Sequence, residues 1–306
     1  MIYTCTLNPA IDYILQSQAF KPGKLNRIEE ARFTAGGKGI NVSIVLNNLG
    51  VENIATGLIG GFTGNFIESH LKRHFGLNTK FIQVKENTRV NVKLKHEVSE
   101  TEINPLGPNI SDDEFDRLID FIKTLTPNDI LVCGGSICQG QSDAYLQIAK
   151  CCEMQKVPFI MDTPGSYLDQ FLTYKPFLIK PNIHELEEYF KTSIKTIDQT
   201  IVYGKKLIEL GAQNIIISMG AKGSLFINKE FIYRSNIIKG DVKNTVGSGD
   251  SMVAGFIQQY VCTKDVKKAY VQAIASGTAT AFSDDLAQKE MIEHYASIVK
   301  IKEIST

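Results

Sequence analysis

Asn244-Thr245-Val246-Gly247-Ser248-Gly249-Asp250-Ser251-Met252-Val253-Ala254-Gly255-Phe256 sets a glycine turn directly against the start of an apolar helix. Such a turn leaves backbone N–H groups unpaired where the helix begins, and that end carries partial positive charge that suits a phosphate. A carboxylate beside an anion hole would repel the anion unless it had a chemical task. Taking a proton from a hydroxyl while the backbone stabilises a transferring phosphoryl group is one such task. An ordinary helix start, with Ser248 or Asp250 as N-cap, is the alternative.

Toward the N-terminus, Ala35-Gly36-Gly37-Lys38-Gly39-Ile40-Asn41 again sets glycines before an apolar helix (Val42, Val45, Leu46, Leu49) closed by Gly50. It matches neither the Walker spacing nor the dinucleotide fingerprint. Two distant glycine turns, each opening a helix, suit a site with a substrate at one end and a nucleotide at the other.

The 306 residues can bury a substantial core, as one large α/β domain or two smaller ones. Lys plus Arg equals Asp plus Glu, at 33 each, which gives no sign of a nucleic-acid or membrane surface. The six cysteines follow neither zinc nor disulfide spacing, as expected for a reducing compartment. With no signal-peptide pattern before the first strand-like segment and no apolar run of membrane-span length, a cytoplasmic protein is expected.

Strand-like runs at 54–59, 129–133, 157–161, 177–179 and 214–218 alternate with amphipathic stretches at 111–124, 142–153 and 196–210. This alternation predicts an α/β fold, a doubly wound, mostly parallel sheet with helices on both faces. Ligands in such sheets bind beyond the carboxyl ends of the strands, which draws attention to Asn8, Gly135, Ser136, Asp162, Lys180, Asn182 and Ser218. Residues 9–35 and 86–105 break the pattern with strands that lack intervening helices. Arg89-Val90-Asn91-Val92-Lys93-Leu94-Lys95 alternates polar and apolar, as a half-buried strand does. Its polar face is either solvated or offers Arg89 and Asn91 to a phosphate; its apolar face needs a cover, for which a second copy of the chain is one solution. His70 and His74 stand at helical i, i+4 spacing without a third ligand nearby, so a solvated helix face is expected. Cys138 is either a packing residue or a reactive thiol.

Seven segments in order resemble the ribokinase/PfkB-type carbohydrate kinases, over essentially the whole length. They are Asn8-Pro9-Ala10-Ile11-Asp12, Ala35 to Asn41, Thr88 to Leu94, Lys180-Pro181-Asn182 with Glu185, Ser218-Met219-Gly220 with Gly223, Asn244 to Ser251, and Gly277 to Ser283. The phosphosugar branch of that family is the most similar. The resemblance implies a ribokinase-like fold, a single kinase domain over 1–306 with a small β-sheet lid from roughly 9–35 and 86–105, and a homodimer formed through the lid. It implies ATP and Mg²⁺ as cofactors and phosphorylation of fructose 1-phosphate at its C6 hydroxyl. Tagatose 6-phosphate is the alternative acceptor, and a non-catalytic sugar-phosphate sensor the remote one.

By the same resemblance Asp250 is the general base and Gly247, Ser248 and Gly249 form the anion hole. Asp12, Gly37, Asn41, Asn91 and Ser136 hold the sugar, while Lys38, Arg89 and Lys24 or Arg27 hold the phosphate already on it. Asn182 and Glu185 support Mg²⁺ and phosphate, Glu185 through water. Lys180, Ser218, Gly220, Gly223, Ala275, Gly277 and Ser283 lie on the nucleotide side. The family often has a proline near position 138, where this chain has Cys138, and often Asp and Ala where it has Asn244 and Ser248.

Overall fold

The computed structural model describes residues 1–17, 20–96 and 99–304. Residues 18–19 and 97–98, within the two segments expected to supply the lid, lie outside the described residues. The chain opens with β1 (Ile2–Thr6), β2 (Ala10–Gln16), β3 (Glu30–Gly36), α1 (Lys38–Asn48), β4 (Asn53–Gly60), α2 (Gly61–Phe75) and β5 (Asn78–Val84). Next come β6 (Arg89–His96), β7 (Ser99–Ile103), α3 (Asp112–Ile122), β8 (Ile130–Gly134), α4 (Ala144–Gln155), β9 (Phe159–Asp162) and β10 (Leu178–Ile179). After α5 (Ile183–Phe190) and α6 (Ile197–Glu209) follow β11 (Asn214–Ser218), β12 (Ser224–Asn228) and β13 (Ile232–Ser235). The remainder is α7 (Ser248–Thr263), α8 (Val266–Ala281), α9 (Lys289–Ala296) and β14 (Ile301–Glu303).

The main sheet runs β14-β13-β12-β11-β10-β9-β8-β1-β4-β5. From β11 to β5 every pairing is parallel, which is why these strands read as near-continuous apolar runs: both faces are covered. In β11, Ile215 and Ile217 belong to the apolar cluster that α3, α4 and α6 help to form, whereas Ile216 belongs to the one on the other face, formed with α1, α7 and α8. Helix starts follow local chemistry: Ser111 with Glu114 and Thr196 with Gln199 form capping boxes where the amphipathic stretches begin. The antiparallel strands β12 to β14 extend the sheet at one edge. The β12–β13 turn is local: the Asn228 side chain accepts from the amides of Glu230 and Phe231, folding the chain back before a helix could cross over.

A separate sheet, ordered β3-β2-β6-β7, draws its strands from both irregular segments. Its register lines up Phe33, Tyr13, Val92 and Ile103 in one apolar row. The next row, displaced by one residue and so facing the other way, holds Thr34, Asp12 and Asn91. At one end of the apolar face, Ile11, Ala35 and Val90 are covered by α1 and α2.

The strand bearing Thr6 is anchored to β4 at Gly57, whose φ is +129° and whose absent Cβ makes room for the Thr6 carbonyl. Thr6 in turn accepts the Ile40 amide, fixing the first turn of α1. Gly57→Ala meets both the backbone strain and the carbonyl, so it should destabilise the fold by about 2 kcal/mol or more, read from chemical unfolding.

Candidate active site

Parallel strands ending in sequence around one cavity bring distant residues together. All seven strand-end residues singled out from the sequence line that cavity of about 490 Å³: Asn8, Gly135, Ser136, Asp162, Lys180, Asn182 and Ser218. The lid contributes Asp12, Arg89, Asn91 and Lys93, α1 contributes Gly37, Lys38 and Asn41, and the start of α7 contributes Gly247, Gly249 and Asp250.

The glycine turn at α7 is not an ordinary cap. The N-cap is Gly247, at φ +78°, and no side chain caps the helix. Ser248 is turned away, its hydroxyl donating to the Gly277 carbonyl at 2.8 Å. The amides of Gly247, Gly249 and Asp250 have no acceptor among the described residues, the state of a helix end that can take an anion. The first turn is held rigid because the Ser251 hydroxyl bonds the Gly247 carbonyl at 2.8 Å and Thr280 at 2.7 Å. At α1 the glycine turn serves another purpose. Gly37 and Gly39 lie against Thr6 and the Cys5 carbonyl, and a Cβ at Gly39 would stand 2.6 Å from the Thr6 hydroxyl.

Asp250 is buried and receives a hydrogen bond from Asn41 Nδ2 at 2.7 Å. Burial, helped by the negative charge of Asp162, pushes its pKa up to about 6, against Lys38, the Asn41 bond and Lys180. Asp162 itself lies between two ammonium groups, Lys38 Nζ at 3.0 Å and Lys180 Nζ at 3.4 Å. Burial alone would raise the Asp162 pKa, but Lys180 and Lys38 outweigh it and hold it low. Burial draws Lys38 down, yet Asp162, Asp250 and Glu185 leave its pKa raised. Lys180 also reaches the start of α7: a Cβ on Gly249 would stand 2.7 Å from its Nζ.

Asn182 and Glu185 form a capping box. Asn182 Oδ1 accepts the Glu185 amide at 2.9 Å, and Glu185 Oε2 accepts the Asn182 amide at 2.8 Å. The second Glu185 oxygen stands 4.0 Å from Lys38. Burial, then Asp162, raises the Glu185 pKa against Lys38. Lys38, expected on the sugar phosphate, is thus engaged by carboxylates. Arg89 is braced by backbone: its guanidinium donates to the carbonyls of Asn8 and Pro105, each at 3.0 Å. Asn8 ties the same corner together through Nδ2 to Leu106 O at 2.8 Å and Ser136 Oγ at 3.3 Å.

Other expected residues lie off the cavity wall. Lys24 and Arg27 are exposed in the β2–β3 connection. Gly220 and Gly223 form the tight turn between β11 and β12. Ala275 is fully buried in the packing of α7 and α8, and a Cβ on Gly277 would press on Met252, so these two settle a helix contact. Ser283 bonds the Ala279 carbonyl at 2.7 Å. Cys138 is a packing residue: its Sγ donates to the Leu7 carbonyl at 2.6 Å, and burial pushes its pKa up to about 12. His70 stacks on Phe66 and meets His74 ring to ring at 4.5 Å between centroids. Among the described residues no group of three or more His, Cys, Asp or Glu is arranged to hold a metal. Nor is any helix among them long and apolar enough to cross a membrane.

Among the charged residues that line the cavity, Asp162, Lys93 and Glu102 had no assigned role from the sequence. Asp162 was visible only as a strand end, whereas Lys93 belongs to the polar stripe of β6 and is buried, 8% exposed. Asp162→Asn should lower the Asp250 pKa below about 6 by removing a negative neighbour between two lysines, read from the carboxyl titration of ¹³C-aspartate-labelled protein.

The model of the pfkB family of carbohydrate kinases matches residues 5–288. The chain is 42% identical over 302 residues to a 1-phosphofructokinase of Bacillus subtilis, covering 98% of this chain and 99% of that one. It is 34% identical over 303 residues to a D-tagatose-1-phosphate kinase of Bacillus licheniformis, again with 98% and 99% covered. A crystal structure of a mutant phosphofructokinase-2 from Escherichia coli superposes with a TM-score of 0.91 at 25% identity, covering 97% of this chain and 98% of that one.

Proposed function

The chain belongs to the pfkB family of carbohydrate kinases, and on that premise we propose that it transfers the γ-phosphoryl group of ATP to the C6 hydroxyl of fructose 1-phosphate, giving fructose 1,6-bisphosphate. The observation that carries the reading is the buried Asp250 carboxylate, bonded by Asn41 and poised near pH 6, at a helix start with unpaired amides. A carboxylate so tuned is ionised at neutral pH yet basic enough to accept the hydroxyl proton as the phosphoryl group leaves ATP. The amides of Gly247, Gly249 and Asp250 take the charge of the transferring group, with the Lys180 ammonium beside them. Asn41 fixes the direction of the base.

On the sugar side, Asp12, Asn91, Gly37 and Ser136 receive the hydroxyls. The braced Arg89 guanidinium takes the phosphate at C1, together with Lys38 once a ligand competes for its carboxylate contacts. Lys180, Asn182 and Ser218 face the nucleotide, whose far end lies toward the Gly220–Gly223 turn. A magnesium ion, when bound, neutralises charge on the nucleotide phosphates. Oxygen donors of the class it takes are present in Glu185 and in Asp162, whose Oδ2 is buried without a partner. The relatives' names both specify a ketohexose 1-phosphate, which supports an acceptor phosphorylated at C1 over tagatose 6-phosphate.

The lid is also the reading's route to a homodimer. Its apolar row ends in Phe33, 51% exposed, and Ile103, 61% exposed, an open face that a second lid would cover. Replacing Phe33 with Asp should shift the molecular mass in light scattering toward that of one chain; an unchanged mass would remove the lid from the interface.

Mg·ATP turnover with fructose 1-phosphate, tagatose 1-phosphate, tagatose 6-phosphate and fructose 6-phosphate in parallel tests the assignment, with the first expected to have the highest kcat/KM. Asp250→Asn should leave sugar-phosphate affinity near wild type and cut kcat by about 10²–10⁴. Because the ionised carboxylate is the active form, kcat of the wild type should fall as pH drops through about 6, reaching a tenfold loss per pH unit below it. A flat acid limb would remove Asp250 as the base.

A further inference from the structure

Lys93 lies outside the mechanism above, yet it is more deeply placed than a solvated stripe residue would be. It is 8% exposed, and a buried ammonium is costly unless it is paired. Its partners are Asp12 Oδ2 at 3.5 Å and Glu102 Oε1 at 3.9 Å. The lid register explains both contacts. Glu102 stands directly opposite Lys93 on β7. Asp12 on β2 stands opposite Asn91, so Lys93, two residues further along β6, is its diagonal neighbour on the same face. A long side chain spans that diagonal.

The result is a carboxylate held at three points. Asn91 Nδ2 donates to Asp12 Oδ1 at 2.9 Å, the Lys93 ammonium stands by Oδ2, and the bare Cα of Gly36 leaves the space that the carboxylate fills. All three polar side chains line the cavity beside Asn41 and Asp250.

We propose that Lys93 is a positioning residue for sugar recognition, fixing the Asp12 carboxylate in the orientation that accepts a sugar hydroxyl and offsetting its charge against Glu102. The proposal rests on the reading of Asp12 as a sugar-binding residue. It separates the work of two cations on one strand: Arg89 meets the phosphate, and Lys93 acts through Asp12.

The test is a double-mutant cycle in the full chain, with KM for fructose 1-phosphate and kcat measured for K93M, K93R, D12N and D12N/K93M. Lys93→Met should raise KM about tenfold, the scale of a lost charged contact, while kcat stays within about threefold. Lys93→Arg should recover most of the affinity, which a purely structural role would not require. In the D12N background, Lys93→Met should add nothing, because the group through which it acts is gone. Multiplying effects would instead mean that Lys93 meets the substrate on its own, and an unchanged KM in K93M would likewise overturn the proposal. A wild-type KM in D12N would sink the Asp12 assignment itself, a failure distinct from either. Should K93M fold poorly, K93Q completes the same cycle, with thermal midpoints recorded for every variant.

Discussion

A single buried carboxylate, Asp162, governs the site, because two ammonium groups from separate parts of the chain converge on it. Lys38 arrives from the start of α1 and Lys180 from the end of β10; Lys180, buried where Lys38 is only half-buried, is the one whose charge most needs this partner. Their positions then set everything adjacent. Lys180 reaches the bare Gly249 at the start of α7, and Lys38 extends toward Glu185. The balance is what leaves Asp250 near pH 6: burial and Asp162 push it up, and the two lysines limit the rise. A carboxyl of intermediate pKa therefore comes from burial, the Asn41 hydrogen bond and three neighbouring charges acting in opposite directions, which no one residue could supply.

The sheet supplies the rigidity that such a balance needs. Parallel strands with both faces covered end at one edge, so their terminal residues share a wall and differ little in height. Over that wall the lid presents its polar row, while its apolar row faces away. One residue of register separates the two, and a slip by one would turn Asp12 and Asn91 out of the cavity. The direct opposition of Asp12 and Asn91 on paired strands is what lets the Asn91 amide bond the Asp12 carboxylate within the cavity.

Much of this was legible in the sequence. The alternation of apolar runs with amphipathic stretches gave the layered fold, and Gly247-Ser248-Gly249-Asp250 gave the helix start with its carboxylate. Each of these signals lies within a dozen residues, where period and turn chemistry act directly. The strand-end rule reached further and found all seven of its residues on the cavity wall, Asp162 among them, although it assigned Asp162 no task. Local reading does not show the packing that remote neighbours add. Ala275 and Gly277 resemble a nucleotide-side motif, yet they settle the packing of α8 on α7. The Asn182–Glu185 element looks like a metal motif, and its hydrogen bonds first of all cap α5.

The sequence by itself determined the elements, their order, the glycine turns and the presence of one acid at a helix start, since these follow from spacing along the chain. Only the tertiary structure decided which charges meet. Lys38 and Asp162 are 124 residues apart, and Asn41 and Asp250 are 209 apart. Lys93 looked like one of four polar residues on a strand until β7 and β2 were laid beside it and buried its ammonium between two carboxylates. Pairing and burial depend on the inverse of distance and on the exclusion of water, quantities that exist only after the chain has closed on itself.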